Sequence, residues 1–259
     1  MTRWRPVSGP DSAARRAAML RRLREHFAGV SVLEVDTPAL NFAAASDVQI
    51  ESLEAHSVLS DRPMYLHTSP EFCMKRLLAA GYPDIYSICR VYRDGEVGHR
   101  HQPEFTMVEW YRLGYQLVDI VADALQVISV GLDNPELAGS ATVTDYRDAF
   151  VRAVGVDPVS ASIDQLADAA DADPGLRSAL GDDRDGWLDL LLSTRVAPGF
   201  EHDRLTVVQH YPASQSALAR ICPASNDVAD RFEVFIGPLE IANGYVELTG
   251  YSDEYRPSV

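Results

Sequence analysis

The chain has 259 residues, 46% hydrophobic and 24% charged, a composition that supports a continuous core and excludes a disordered chain. At roughly 150 residues per domain, that length admits one large domain or two small ones. Against 23 Lys and Arg stand 38 Asp and Glu, and the resulting net charge of −15 makes a surface that repels phosphate backbones and argues against broad nucleic-acid binding.

The longest apolar run, 117–130, is broken by Asp119, Asp123 and Gln126, well short of the roughly 20 apolar residues that a membrane span needs. Arg3 and Arg5 lead into a charged amphipathic stretch without the apolar core of a signal peptide, so a cytoplasmic protein with no membrane partner is expected. Cys73, Cys89 and Cys222 are odd in number and widely spaced, which fits neither a disulfide framework nor a zinc knuckle; they are expected to pack as small apolar residues.

In chain order, apolar Ala13, Ala17, Leu20, Leu23 and Phe27 recur at helical spacing from about 11 to 27. Arg15, Arg16, Arg21, Arg22 and Arg24 then form the solvated face of that helix, with a docking patch for an acidic partner as the other reading. A short strand is expected over 30–35, broken at Thr37-Pro38, and a polar stretch over 41–47 leads into a hairpin of 48–59 with 64–67. The helix over 71–80 follows Ser69-Pro70, since proline suits the first turn of a helix. Strands over 85–93 and 104–112 should pair antiparallel across a long polar loop, and 117–132 is helical. An acidic, Ala- and Leu-rich helical insert is expected over about 145–196, followed by strands over 205–211, 231–236 and 239–248. Blocks of neighbouring strands and of helices argue for an α+β fold, mainly an antiparallel sheet with helices packed on it.

Strand 104–112 carries chemistry, because alternation puts Phe105, Met107, Glu109 and Tyr111 on one face. A carboxylate there is either a salt-bridged core group or part of a site. The partner strand ends in Tyr92-Arg93, and the loop holds Asp94, Glu96, His99, Arg100, His101 and Gln102. An arginine beside a stacking aromatic suits a nucleotide, the guanidinium taking a phosphate and the ring a base. His99 and His101 fit nucleotide or solvent contacts better than zinc. Glu233, Glu240 and Glu247 recur at sevens. If Gly237-Pro238 turns the chain so that Ile236 lies beside Gly237, Glu233 faces Glu240 and a Mg²⁺ ion between them is the physical reading. Glu247 shares parity with Asn243 and Tyr245 but not with Glu240, so a bulge or strong twist is expected around 242–244.

The run Arg90-Val-Tyr-Arg-Asp-Gly-Glu96 followed by His101-Gln-Pro-Glu-Phe-Thr-Met-Val-Glu-Trp-Tyr111 resembles the second signature motif of class II aminoacyl-tRNA synthetases in its lysyl form. Thr68-Ser-Pro-Glu71 with Met74-Lys-Arg-Leu-Leu78, Tyr211-Pro-Ala-Ser-Gln215 and Glu240-Ile-Ala-Asn-Gly-Tyr-Val-Glu-Leu-Thr249 extend the match from about residue 14 to 249. Trp110, Ser214 and Gln215 point to the elongation factor P lysine ligase branch, similar to a lysyl-tRNA synthetase reduced to its catalytic domain.

The resemblance implies one class II synthetase-like catalytic domain over 1–259, its antiparallel sheet flanked by helices and carrying the helical insert. It implies ATP as substrate, Mg²⁺ as cofactor and activation of lysine or β-lysine as an adenylate, with transfer to a lysine of elongation factor P. By position, Arg93 would grip the α-phosphate and Phe105 stack on adenine, with Asp94, Gly95, Gln102, Glu240 and Ile241 around the nucleotide. Glu233 and Glu240 would hold Mg²⁺, and Ser69, Pro70, Glu71, Glu109, Tyr111, Asn243, Tyr245 and Glu247 would surround the amino acid. Pro38 matches the first family motif and implies a homodimer. Gly95 stands where lysyl enzymes have an adenine-reading glutamate, for which Glu96 substitutes. The family's third motif, with its γ-phosphate arginine, finds no match before Val259, so the catalytic domain is expected to be C-terminally incomplete. A catalytically impaired or truncated paralogue acting as a binding or regulatory module, and a lysine–tRNA ligase, are the other functions this pattern allows.

Overall fold

The computed structural model describes residues 8–44, 50–58, 60–98 and 101–248. Arg3, Arg5, the end of the polar stretch and start of the expected hairpin at 45–49, Leu59, His99, Arg100 and everything from Thr249 onward lie outside them. The chain divides into two compact units, Met1–Gly114 and Tyr115–Val259.

In the first unit, α1 (Pro10–Gly29) starts on a proline at its first turn and buries Leu23 and Phe27. Strands β5 (Ile85–Tyr92) and β6 (Glu104–Tyr111) pair antiparallel in unbroken register, Ile85 opposite Tyr111 and Tyr92 opposite Glu104. Helix α1 covers one face of this pair: Phe27 stacks on Tyr86 at 4.2 Å between ring centroids and meets Trp110 at 5.8 Å. The buried Tyr86 hydroxyl donates to Glu34, which also pairs with Arg24 at 3.0 Å, and burial with that bond pushes the phenol up to about 12. The arginines of α1 are spent locally: Arg16 donates to Thr106, Arg21 lies 3.7 Å from Glu25, and Arg24 takes Glu34.

The expected strand over 30–35 shrinks to β1 (Leu33–Glu34), which runs parallel to β5. Its first residues serve the helix end instead, for Val32 donates its N–H to Phe27 and buries its side chain. A second small sheet orders β2 (Leu40–Asn41), β4 (Met64–Leu66) and β3 (Glu54–Ala55), so the long hairpin arm over 48–59 reduces to two paired residues among those described. Helix α2 (Glu71–Ala79) follows Pro70 as expected.

In the second unit, α3 (Leu117–Leu132) begins at a capping box of Gln116 and Asp119, and the short α4 (Glu136–Gly139) leads to β7 (Thr142–Asp145). Strand β7 was not expected from so short a Thr-Val-Thr run; it lies parallel to β8 (Leu205–Pro212). Strands β9 (Val228–Ile236) and β10 (Leu239–Tyr245) complete the order β10-β9-β8-β7, antiparallel except at the β7 edge.

Between β7 and β8 stand α5 (Tyr146–Val154), α6 (Ile163–Ala169), α7 (Pro174–Leu180) and α8 (Arg184–Leu191). Much of their aspartate is structural: Asp173 and Asp183 accept N–H bonds at the starts of α7 and α8, and Asp157, Asp168 and Asp171 pair with Arg147, Arg177 and Arg195. Helix α8 runs on as a π-helical turn, Leu192–Val196, where the Ser193 and Thr194 hydroxyls donate to carbonyls of Asp189 and Leu190. Tyr146, Phe150, Leu166, Trp187, Leu188 and Leu191 bury themselves against Val208, Tyr211 and Phe235 of the sheet. That side of the sheet is one buried layer of the unit; Val207, Phe232 and Val234 on its other face are buried as well.

Candidate functional site

In the first unit the face of β5 and β6 turned away from α1 carries Phe105, Met107, Glu109 and Tyr111. The Tyr111 hydroxyl donates to Glu109 at 2.9 Å, so the carboxylate and the phenol form one polar pair on that face. Arg93, just past β5, lays its guanidinium 5.2 Å from the centroid of the Phe105 ring. Glu96 lies 3.6 Å from one end of that guanidinium, while the Arg93 Nε is buried with no hydrogen-bond partner among the described residues. A fixed cation with donors unspent is what an anionic ligand needs.

The loop after Arg93 is shaped by its own backbone. Asp94 bridges to Glu51 and accepts the N–H of Gly95, which sits at φ 74 where side chains are strained. The Gln102 amide donates to the Gly98 carbonyl at 3.4 Å. Ser69 and Pro70 stand at the start of α2, where the Ser69 hydroxyl accepts the Glu71 N–H and Pro70 is the N-cap residue. Glu71 pairs with Lys75 one turn on, at 2.6 Å.

In the second unit the expected pairing of Glu233 with Glu240 is corrected by the register. Gly237-Pro238 forms a two-residue connection, Ile236 pairs with Leu239, and Glu240 lies opposite Phe235. Adjacent residues cannot pair across a hairpin; at least two must span the gap between strands, and Gly237 at φ 52 supplies the positive φ such turns demand. The register then slips between Glu240 and Ala242, so the bulge falls at Ile241, just before the place expected.

This bulge does the work that alternation alone could not. Residues directly opposite in antiparallel strands point the same way, and Glu233 and Phe235 share a face of β9. Glu240, opposite Phe235, and Asn243, opposite Glu233, therefore join that face although they are three apart in sequence. Tyr245, opposite Arg231, joins them. Glu247 lies beyond β10, bridged to Ala219.

Arg231 organises this face, and the sequence reading passed over it. Its guanidinium donates to Glu233 at 2.7 Å, to the Asn243 side chain at 3.1 Å and to the Gln215 carbonyl at 2.7 Å, and it lies 4.5 Å from the centroid of the Tyr211 ring. Its signal was its place two residues before Glu233 on the same strand face. Around it, Ser214 donates to Asp185 and Gln215 to Asp189, both at 2.7 Å, so α8 is tied to this end of the sheet. Glu233 is 6% exposed; burial pushes its carboxyl up, and Arg231 pulls back the other way. Burial also raises Asp189, and it holds the phenols of Tyr146 and Tyr211 well above their ordinary range.

The donor set suits a hard divalent cation. Glu233 and Glu240 are diagonal neighbours on one face, both offer carboxylate oxygens, and the burial that disfavours the Glu233 charge is what a bound cation offsets.

The family model of class II tRNA synthetases (D, K and N) matches residues 11–256. The chain belongs to the class II tRNA synthetase family. Among curated relatives, it is 40% identical over 251 residues to the elongation factor P–(R)-β-lysine ligase of Sodalis glossinidius (strain morsitans), covering 95% of this chain and 76% of that protein. Its identity to the elongation factor P–(R)-β-lysine ligase of Pseudoalteromonas translucida (strain TAC 125) is 38% over 259 residues, 98% of this chain and 78% of that protein. The same ligase of Edwardsiella ictaluri (strain 93-146) is 39% identical over 259 residues, with the same coverage. In this synthetase family setting, the two β-strand faces just described are the chain's candidate ligand surfaces, one in each unit.

Proposed function

We propose that this protein activates (R)-β-lysine, or lysine, with ATP and passes the acyl group to a lysine of elongation factor P. The relatives named for that reaction cover nearly all of this chain, and the α+β fold is that of their synthetase family. The structural observation that carries the reading is the face of β5 and β6, where a half-buried Arg93 with an unspent donor stands over Phe105 and is followed along the strand by Glu109 and Tyr111. We read the whole chain as one catalytic domain with the acidic helical stretch at about 145–196 as its insert.

The chemistry is an in-line displacement. A carboxylate oxygen of the amino acid forms a bond to the α-phosphorus of ATP and the bond to pyrophosphate breaks, leaving an aminoacyl-adenylate. Arg93 neutralises charge growing on the α-phosphate, with Phe105 against adenine and Asp94, Gly95, Gln102 and Ile241 lining the nucleotide. Glu233 and Glu240 would hold Mg²⁺, which when bound neutralises phosphate charge. Glu71, Glu109 and Glu247, with Ser69, Pro70, Tyr111, Asn243 and Tyr245, would orient the amino acid, the carboxylates meeting its ammonium groups. The ε-amino group of the acceptor lysine then attacks the acyl carbon, AMP leaves and an amide remains.

We further propose that the protein is a cytoplasmic homodimer and that its −15 charge disfavours tRNA as acceptor. No helix among the described residues is long and apolar enough to cross a membrane.

Pyrophosphate exchange with (R)-β-lysine and lysine, followed by transfer of labelled product to elongation factor P or to lysine tRNA, tests the reading. Exchange with either amino acid and labelling of the protein acceptor support it. A folded sample that exchanges with neither, or that labels tRNA instead, overturns it.

A further inference from the structure

A second constellation lies where β8 is irregular. The strand pairs with β9 regularly as far as Gln209 opposite Phe232 and resumes with Tyr211 opposite Ala229, so His210 occupies the slip. Its φ is 56, a left-handed conformation that a non-glycine residue keeps only where surrounding contacts hold it. Between these two pairs β9 has two residues, Arg231 and Asp230, against the single His210, so the extra residue is on β9; bulges re-aim side chains, and this one brings His210 to Cys222 and Asp230, with one ligand atom from each within 4.8 Å of the other two.

The three come from separate segments, each fixed by backbone bonds. Cys222 donates its N–H to the Val228 carbonyl at 2.9 Å, and Asp230 donates its own to Arg220 at 2.8 Å. An outer layer is also in place. His210 Nδ1 lies 2.9 Å from a carboxylate oxygen of Asp145, the contact that sets ring orientation and tautomer in metal-binding histidines. Arg220 donates twice to the same oxygen of Asp230, Oδ2, and once to Gln116, so that carboxylate is held in one orientation.

We propose that His210, Cys222 and Asp230 form a zinc site, with solvent as the fourth ligand. The donors are an imidazole nitrogen, a thiolate sulfur and a carboxylate oxygen, the mixed set that a borderline d¹⁰ cation accepts in tetrahedral geometry. On binding, Cys222 gives up its proton to solvent; the thiolate and the Asp230 carboxylate then supply two negative charges against the ion's two, while Arg220 stays on Asp230 Oδ2 and leaves Oδ1 for the ion. His210 is 28% exposed at its side chain, which gives the ion a way in from solvent. The ion would staple His210 of β8 and the Ala219–Cys222 segment to Asp230 in the bulge of β9. This site is separate from the proposed catalytic residues and stands or falls independently of the ligase reading.

The test uses the full chain, stripped with chelator, with Cys73 and Cys89 replaced by serine so that Cys222 is its sole thiol. Titration with Co²⁺ should give one bound equivalent with a thiolate-to-metal charge-transfer band, displaced by Zn²⁺, and Zn²⁺ should shield Cys222 from a thiol reagent until chelator is added. Cys222→Ser should abolish the band, and Asp145→Asn should weaken binding by roughly 10- to 100-fold. A band-free titration, or a Cys222 thiol that reacts equally fast with and without Zn²⁺ in the otherwise unaltered site, overturns the proposal. So does binding that His210→Gln leaves unchanged.

Discussion

Arg231 on β9 and Arg93 just past β5 each lie beside an aromatic ring, yet they serve different ends. Arg231 has its donors consumed by Glu233, Asn243 and the Gln215 carbonyl. Removing it leaves the buried Glu233 without its cationic partner, so Arg231→Gln should lower stability by about 3 kcal/mol in denaturant unfolding. Arg231→Lys keeps the charge and should recover part of that loss but not the fork that also holds Asn243. Arg93 retains a buried, unspent donor. Its replacement by Gln should leave the unfolding midpoint close to that of the parent while slowing pyrophosphate exchange by roughly 100-fold, because the missing interaction belongs to the transition state. A folded Arg93→Gln variant with full exchange activity would show that the guanidinium does not meet the reacting phosphate.

The hairpin of β9 and β10 shows how an element gathers side chains that sequence parity keeps apart. Its bulge at Ile241 moves Glu240 onto the face of Glu233 and Asn243. Behind it, Gly244 lies against Phe232 so closely that an added Cβ would come within 2.7 Å of ring carbons of a buried phenylalanine. Gly244→Ala should therefore destabilise the chain by about 1–3 kcal/mol, measured by thermal unfolding. Helix α8 contributes a pH dependence through Asp189, whose carboxyl is raised by burial. The folded chain then holds that proton more tightly than the unfolded one, so folding takes up a proton between the two values and stability falls as pH rises through that interval from 3.8 upward. Asp189→Asn, which keeps an acceptor for Gln215, should flatten this fall and match or exceed the parent's stability above it. A variant whose stability fell with pH as steeply as the parent's would place the dependence elsewhere.

Taken across the chain, acidic charge and apolar burial oppose each other. A net charge of −15 repels itself, and added salt should screen it and raise the melting temperature, as calorimetry at several ionic strengths would show. Cohesion in the second unit comes from the helices packed on its sheet, with Trp187 at 1% exposure and its indole N–H on the Gly181 carbonyl. Trp187→Ala should cost about 4 kcal/mol in unfolding free energy.

Periodicity was enough to place α1, α2, α3, β5, β6 and β8, because each buries one face or one stripe and so writes its period into the chain. The shared face of Phe105, Glu109 and Tyr111 followed from alternation within a single strand. Composition marked the acidic stretch before β8 as helical, though not the caps and arginine pairs that use up its aspartates. Strand β7 left too short a pattern to read, being defined by the strand beside it, and the strand expected over 30–35 kept only the two residues that β5 pairs. The register of β9 with β10 likewise depends on turn geometry and on a bulge, which are properties of two strands together. Hence Glu233 and Glu240 were legible as a pair of carboxylates but not in their true relation, and Arg231, signalled only by its place two residues before Glu233, showed its role once Asn243, Gln215 and Tyr211 were brought around it. Residue types along one strand announce chemistry; which of them meet is a matter of pairing between segments distant in the chain.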